Sequence, residues 1–378
     1  MRTTILFTLF IVLNFGANAQ SIKGKTYNLV VGTYTNKENT NGIQIYSFDT
    51  KTGQSGFRSK IAGIKNPSYL AISKDRKNVY SVSEVGAGNG TIQAFSFNAK
   101  TGELQFLNSV SSGGDGPCYV SVDDKKKNVF AGNYDSGSLA AIRVENNGSL
   151  NPEIQTIQHE VNSKNFPSQD RPHVHGVVLT PDNRYLLVPD LGTDRVNIYG
   201  LNHGSSQILL PAEIPYVSVT RGGGPRHLTF HPNGKFAYLI LEMGAAIVGF
   251  DYKDGKLETK QTISMLSPGF KGNVEAADIH VSPDGKFLYG SNRADANDIV
   301  IYSIAKNGIL TYEGRQSSLI KTPRNFAIDP SGNFLLVANL GSNDIIIFKR
   351  DKKSGLITPT GQKISVDKPS CLKFVAMD

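Results

Sequence analysis

Apolar residues along this chain fall into alternating stretches and short β-branched or aromatic runs, and both patterns predict strands. One phrase recurs: an apolar strand, a turn of the Ser/Pro-Asp/Asn-Gly type, then a second apolar strand. Its copies read PSYLAISKDRKNVYSVSE from Pro67, PCYVSVDDKKKNVFAGNY from Pro117, VHGVVLTPDNRYLLVPDL from Val174 and PRHLTFHPNGKFAYLILE from Pro225. AADIHVSPDGKFLYGSNR from Ala276, PRNFAIDPSGNFLLVANL from Pro323 and a truncated PSCLKFVAM from Pro369 complete the set. The starts lie 50, 57, 51, 51, 47 and 46 residues apart, and Asn-Gly, Asp-Gly and Ser-Gly at the turn suit tight hairpins.

Between copies lie two further strand-like runs, such as TIQAFSFN and ELQFLNSV, joined by turn chemistry of the Lys-Thr-Gly kind. Each unit therefore holds four strands, and repetition at this period predicts an all-β chain, a β-propeller of four antiparallel strands per blade. With no tryptophan in the chain, it carries no WD40 signature. The last copy stops after one strand, while the chain before Pro67 holds the three missing ones, NLVVGTYT, GIQIYSFD and GFRSKIAGI. Seven blades follow, with the C-terminal strand closing the N-terminal blade and covering its edge. Two unrelated β-sandwiches would leave this complementarity without a cause.

Antiparallel pairing brings the start of each inner strand and the end of the next strand to the same face of the disc. Two positions per blade then meet at one mouth of the central channel. The first is occupied by Ser68, Cys118, His175, Arg226, Ala277, Arg324 and Ser370; the second by Tyr34, Glu84, Tyr134, Leu191, Glu242, Arg293 and Leu340. Strand ends are wet, so a single charge there can be a solvated rim. Six ionisable groups at equivalent positions, His175, Arg226, Glu242, Arg293, Arg324 and Glu84, point instead to a ligand site in a concave mouth. Guanidinium forks suit a carboxylate, a phosphate or a developing oxyanion, and His175 and Glu242 are the candidate proton carriers.

The segment before the repeats has its own logic. Arg2, an apolar run from Ile5 to Phe15, and Ala17-Asn18-Ala19 match a secretory leader over residues 1–19, with a single propeller domain over 20–378. The run is short of the ~20 apolar residues that span a bilayer, so the chain is expected to be exported, periplasmic or secreted, without stable membrane insertion. Forty Lys+Arg against 32 Asp+Glu give a formal charge of +8, which favours small anionic partners; the basic residues are scattered, which argues against nucleic acid. Cys118 and Cys371 lack metal-ligand spacing and read as buried thiols, with pairing in an oxidising compartment as the alternative.

His173 and His175 form an H-x-H pair that would need a third ligand to hold a metal, and no metal or cofactor is expected. His227, His231 and His280 read as structural. Gly222–Gly224 has no helix after it and serves to turn the backbone into the fourth inner strand. Neither a G-x-S-x-G elbow nor a phosphate-binding GxxxxGK[ST] loop occurs.

At GGGPRHLTFHPNGKFAYLILE, EAADIHVSPDGKFLYGSNR and TPRNFAIDPSGNFLLVAN the sequence resembles the seven-bladed lactonase family, over nearly all of the chain after the leader. That family holds the propeller-type 6-phosphogluconolactonases and the fungal 3-carboxy-cis,cis-muconate lactonizing enzymes. The resemblance implies a hydrolase of a sugar-acid lactone, with His175, Arg226, Glu242 and Arg293 as catalytic residues; a monomer is expected. Glu84, Tyr134, Asn292 and Arg324 are the candidates for contacts to substrate hydroxyls or anions. A cycloisomerase of the carboxymuconate type, and an exported binding propeller without chemistry, are the alternatives.

Overall fold

The computed structural model describes residues 25–378 apart from 39, 126, 161–168 and 203. The proposed leader, residues 1–19, lies outside the described residues. All described regular elements are strands, arranged as seven four-stranded antiparallel sheets around one axis. The first blade runs, from the axis outward, β28 (Pro369–Ala376), β1 (Thr26–Thr33), β2 (Ile43–Asp49) and β3 (Ser55–Ile61). Its pairing of Leu29 with Phe374 and Val31 with Leu372 joins the two ends of the chain as the truncated copy predicts.

The remaining blades follow the repeat: each copy supplies an inner strand and the strand beside it. In the fifth blade these are β16 (Pro225–Phe230) and β17 (Phe236–Leu241), in the sixth β20 (Ala276–Val281) and β21 (Phe287–Asn292), and in the seventh β24 (Pro323–Ile328) and β25 (Phe334–Asn339). Turn chemistry explains the hairpins between them. Gly234, Gly285 and Gly332 each take φ +70, and Asn183 takes +54 at the equivalent turn. Glycine and asparagine are the residues that enter this left-handed region at least cost.

Alternate residues of each strand face the two neighbouring blades, so the apolar core lies between blades. Ile240, Ile247 and Met265 of the fifth blade, for example, pack with Leu288, Val300 and Tyr302 of the sixth, all fully buried. The fourth blade departs from the repeat. Its inner strand β12 covers only Val178–Leu179, and Val174 keeps one isolated bridge to Asp190. The partner strand β13 (Tyr185–Asp190) carries Pro189 near this end, which has no N–H to donate and only accepts from His175 N at 3.0 Å.

Candidate active site at the channel mouth

The register expected at the mouth is present as a repeated hydrogen bond. Tyr34, Glu84, Tyr134, Leu191, Glu242, Arg293 and Leu340 each donate their N–H to the carbonyl just before an inner copy, at 2.7 to 3.1 Å. Four of the inner strands then carry, a residue or two after this point, an irregularity the pattern did not reveal. The ladder shifts between Pro117 and Tyr119, Pro225 and Leu228, Ala276 and Ile279, and Pro323 and Asn325. Such bulges re-aim side chains, and here they turn Cys118, Arg226, Asp278 and Arg324 toward the axis. The glycine run serves the same end. Gly224 takes φ +67 immediately before β16, and a Cβ there would meet Met243 at 2.9 Å. Asp194 fixes the loop by accepting from Gly222 N at 2.7 Å and Gly224 N at 3.0 Å.

Glu242 is the centre of the resulting cluster. Its Oε2 lies 2.7 Å from Arg226 Nε and 3.7 Å from His175 Nε2, and its Oε1 lies 3.0 Å from Arg293 Nη2. Arg226 Nε, Arg293 Nη2 and Glu242 Oε2 are all buried from solvent. The contacts are ion pairs in which two guanidiniums share one carboxylate. The Arg226 side chain is 2% exposed, against 18% for that of Glu242. Glu242 is the more accessible of the two to a small molecule in the channel.

Charge states follow from these neighbours. Burial alone would raise the Glu242 carboxyl, but Arg293, Arg226 and Arg324 together hold it below its ordinary value. Burial, then Arg226, His227 and Arg324, push His175 well below the usual imidazole range, so it is neutral. Burial lowers Arg226 to about 10 against the support of Glu242, which leaves it charged near neutrality.

A second cluster stands at the same mouth. Glu84 accepts from the Tyr34 hydroxyl at 2.8 Å and from Ser68 Oγ, and lies 3.9 Å from Arg324. Arg324 also sits 5.2 Å over the Tyr34 ring. Tyr134 stacks on His173 at 4.4 Å and meets His175 edge-on at 5.1 Å. Burial, then Glu242 and Cys118, lift its phenol to about 12. His173 is thereby used as a platform, its Nδ1 2.9 Å from the Tyr134 carbonyl. Among the described residues no group of three His, Cys, Asp or Glu could hold a metal ion.

One expectation needs correction. Asn292 does not join the mouth: it is fully buried and its Nδ2 donates to Asp298 at 2.9 Å, as Asn339 does to Asp344 in the next blade. It closes the turn after β21, because the side chain one residue before Arg293 points to the other face of the strand. His227, read from the sequence as structural, lies beside the cluster: the bulge in β16 places its Nε2 3.2 Å from Arg226 Nη1. The adjoining Arg-His pair was visible in the sequence, but the bulge that aims both inward was not. Cys118 and Cys371 are separate buried thiols; Cys118 Sγ lies 3.6 Å from His175 Nδ1.

Comparison with known proteins places this geometry in context. A family model described as "Lactonase, 7-bladed beta-propeller" matches residues 28–374. A 6-phosphogluconolactonase of Formosa agariphila is 35% identical over 304 residues, 80% of this chain and 86% of that protein. A solved structure from Bacteroides fragilis superimposes with a TM-score of 0.89 at 39% identity, covering 94% of this chain and 99% of that one. The periplasmic gluconolactonase of Pseudomonas aeruginosa gives a TM-score of 0.89 at 37% identity, over 93% of this chain and all of that one (100%).

Proposed function

The chain belongs to the 7-bladed β-propeller lactonase family, and we propose that it opens the cyclic ester of a sugar acid at the channel mouth. The observation that carries this reading is the Glu242 carboxylate, ion-paired to Arg226 and Arg293 and 3.7 Å from His175 Nε2. Hydrolysis of a lactone needs a base for water, a donor set for the oxyanion and a proton for the leaving ring oxygen. Glu242 takes the proton of the attacking water. Arg226 and Arg293 meet the negative charge that develops on the carbonyl oxygen. The protonated Glu242 then returns its proton to the ring oxygen as the C–O bond breaks. Glu84, Tyr34 and Arg324 form the opposite wall and bind substrate hydroxyls or an acidic group, with Tyr134 flanking His175.

The leader at residues 1–19 supports action outside the cytoplasm, and so does the similarity to a protein described as periplasmic. There the substrate is a sugar lactone without an obligatory phosphate. Acid release from a panel of sugar lactones, followed in a pH-stat for the mature chain and its Glu242→Gln variant, tests the reading. Equal traces across the panel would overturn it, and ultraviolet loss of an added muconate would establish the cycloisomerase instead. N-terminal sequencing of the cell-envelope form is expected to start at Gln20; an intact Met1 would rule out the export proposal.

A further inference from the structure

Below the mouth, a second polar group lies along the channel wall. Asp278 is 1% exposed and its carboxylate is held from three directions. It accepts from His227 Nδ1 at 2.8 Å, from His280 Nε2 at 2.8 Å and from Asn325 Nδ2, with Phe326 N at 3.3 Å. These donors come from β16, β20 and β24, so the carboxylate is fixed by three blades at once. The His227 ring is held just as firmly: Tyr119, His175 and Tyr69 meet it edge-on at 5.1, 5.5 and 5.7 Å.

The protonation pattern follows from chemistry. An ionised carboxylate only accepts, so the proton of His227 sits on Nδ1. Burial, then Arg226, lower His227 to about 3, so the ring is neutral and Nε2 carries a lone pair. That lone pair faces Arg226 Nη1 at 3.2 Å, and the same Nη1 also donates to the Ala277 carbonyl. Two acceptors thus engage one end of the guanidinium and set the plane in which its other nitrogens lie.

We infer that His227, oriented by Asp278, is a positioning residue for Arg226 in the hydrolytic step. The inference rests on the reading that Arg226 stabilises the oxyanion. A guanidinium free to rotate in a fully buried slot would lose both its 2.7 Å approach to Glu242 and the plane in which it meets an oxyanion. Histidine serves here because it turns a fixed carboxylate on one side into a neutral acceptor on the other. A second carboxylate in contact with Arg226 would instead satisfy its charge and weaken its pull on an oxyanion.

The test compares two variants of the same position with glucono-δ-lactone as probe. Glutamine retains an amide at the place of Nε2 and asparagine at the place of Nδ1. His227→Asn is expected to lower kcat about tenfold with KM changed by less than about twofold, while His227→Gln recovers most of that loss. Nitrogen NMR of the wild type is expected to show a single neutral tautomer at His227, protonated on Nδ1. Equal kcat for the two variants, both folded, would overturn the inference. A wild-type spectrum with Nε2 protonated would overturn it as well, even if neither variant folds. Arg226→Lys with undiminished kcat would instead remove the oxyanion role of Arg226, without altering the tautomer that the spectrum reports.

Discussion

Glu242 Oε2 stands 3.7 Å from His175 Nε2, which sets a carboxylate beside an imidazole without a direct hydrogen bond. One partner is a carboxylate kept ionised by guanidiniums, and the other is an imidazole kept neutral by burial. The pair therefore needs no titration near neutral pH to be ready for a water.

Removing the charge tests the base directly. Glu242→Gln is expected to lower kcat on sugar lactones by about a hundredfold, measured in a pH-stat against the spontaneous rate. It also leaves Arg226 and Arg293 without their shared counter-charge, so the melting temperature should fall. Turnover equal to that of the wild type would remove Glu242 from the mechanism.

The acid limb of kcat/KM reports the Glu242 carboxyl in the free enzyme. Arg293 is the strongest of the cations that lower it, while burial works in the opposite direction. Arg293→Met is therefore expected to shift the acid limb to higher pH. A limb that stays in place would mean that another group sets it.

Acid stability has a definite sign. His175 and His227 are held below the ordinary imidazole value of 6.5, His227 at about 3, whereas in the unfolded chain both are protonated as the pH falls through that value. Between 6.5 and about 3 the unfolded state binds more protons, so folding stability declines on acidification. Asp278 and Glu242, both lowered, add their own loss only below the usual carboxylate range. Melting temperatures across this window should fall steadily, and less steeply in His227→Gln. An identical slope in the variant would contradict the buried neutral state of His227.

A repeated latch between blades offers a test of the fold. Tyr80, Tyr238 and Tyr289 donate their hydroxyls to the carbonyls of Gly148, Gly308 and Gly355, each in a hairpin of the next blade, at 3.1, 2.9 and 2.7 Å. Tyr238→Phe leaves the Gly308 carbonyl without this donor and should cost about 1 kcal/mol in denaturant unfolding. An unchanged midpoint would show that the latch contributes nothing to stability.

Closure is expected to be indispensable. Deleting 369–378 removes β28 and uncovers β1, where Leu29 and Val31 are fully buried. The shortened chain should lose its cooperative melting transition; a sharp transition near that of the full chain would mean that six complete blades hold the first one without its inner strand.

Much of this architecture was legible before any coordinate. Strand alternation and turn chemistry are local properties, and a repeat multiplies them, so seven blades, their closure and the two positions at the mouth could be counted along the chain. Even the gathering of His175, Arg226, Glu242 and Arg293 followed from phase alone, because residues at equal offsets in equivalent strands arrive at equal heights. What phase does not contain is a shift of register. The bulge between Pro225 and Leu228 brings His227 to the axis beside Arg226, and the strict alternation of β21 takes Asn292 away from it. Which arginines would share Glu242, and that Arg324 would face Glu84 instead, depended on the rotation of blades about the axis. Those are distances between side chains far apart in the chain, and only packing of the closed ring determines them.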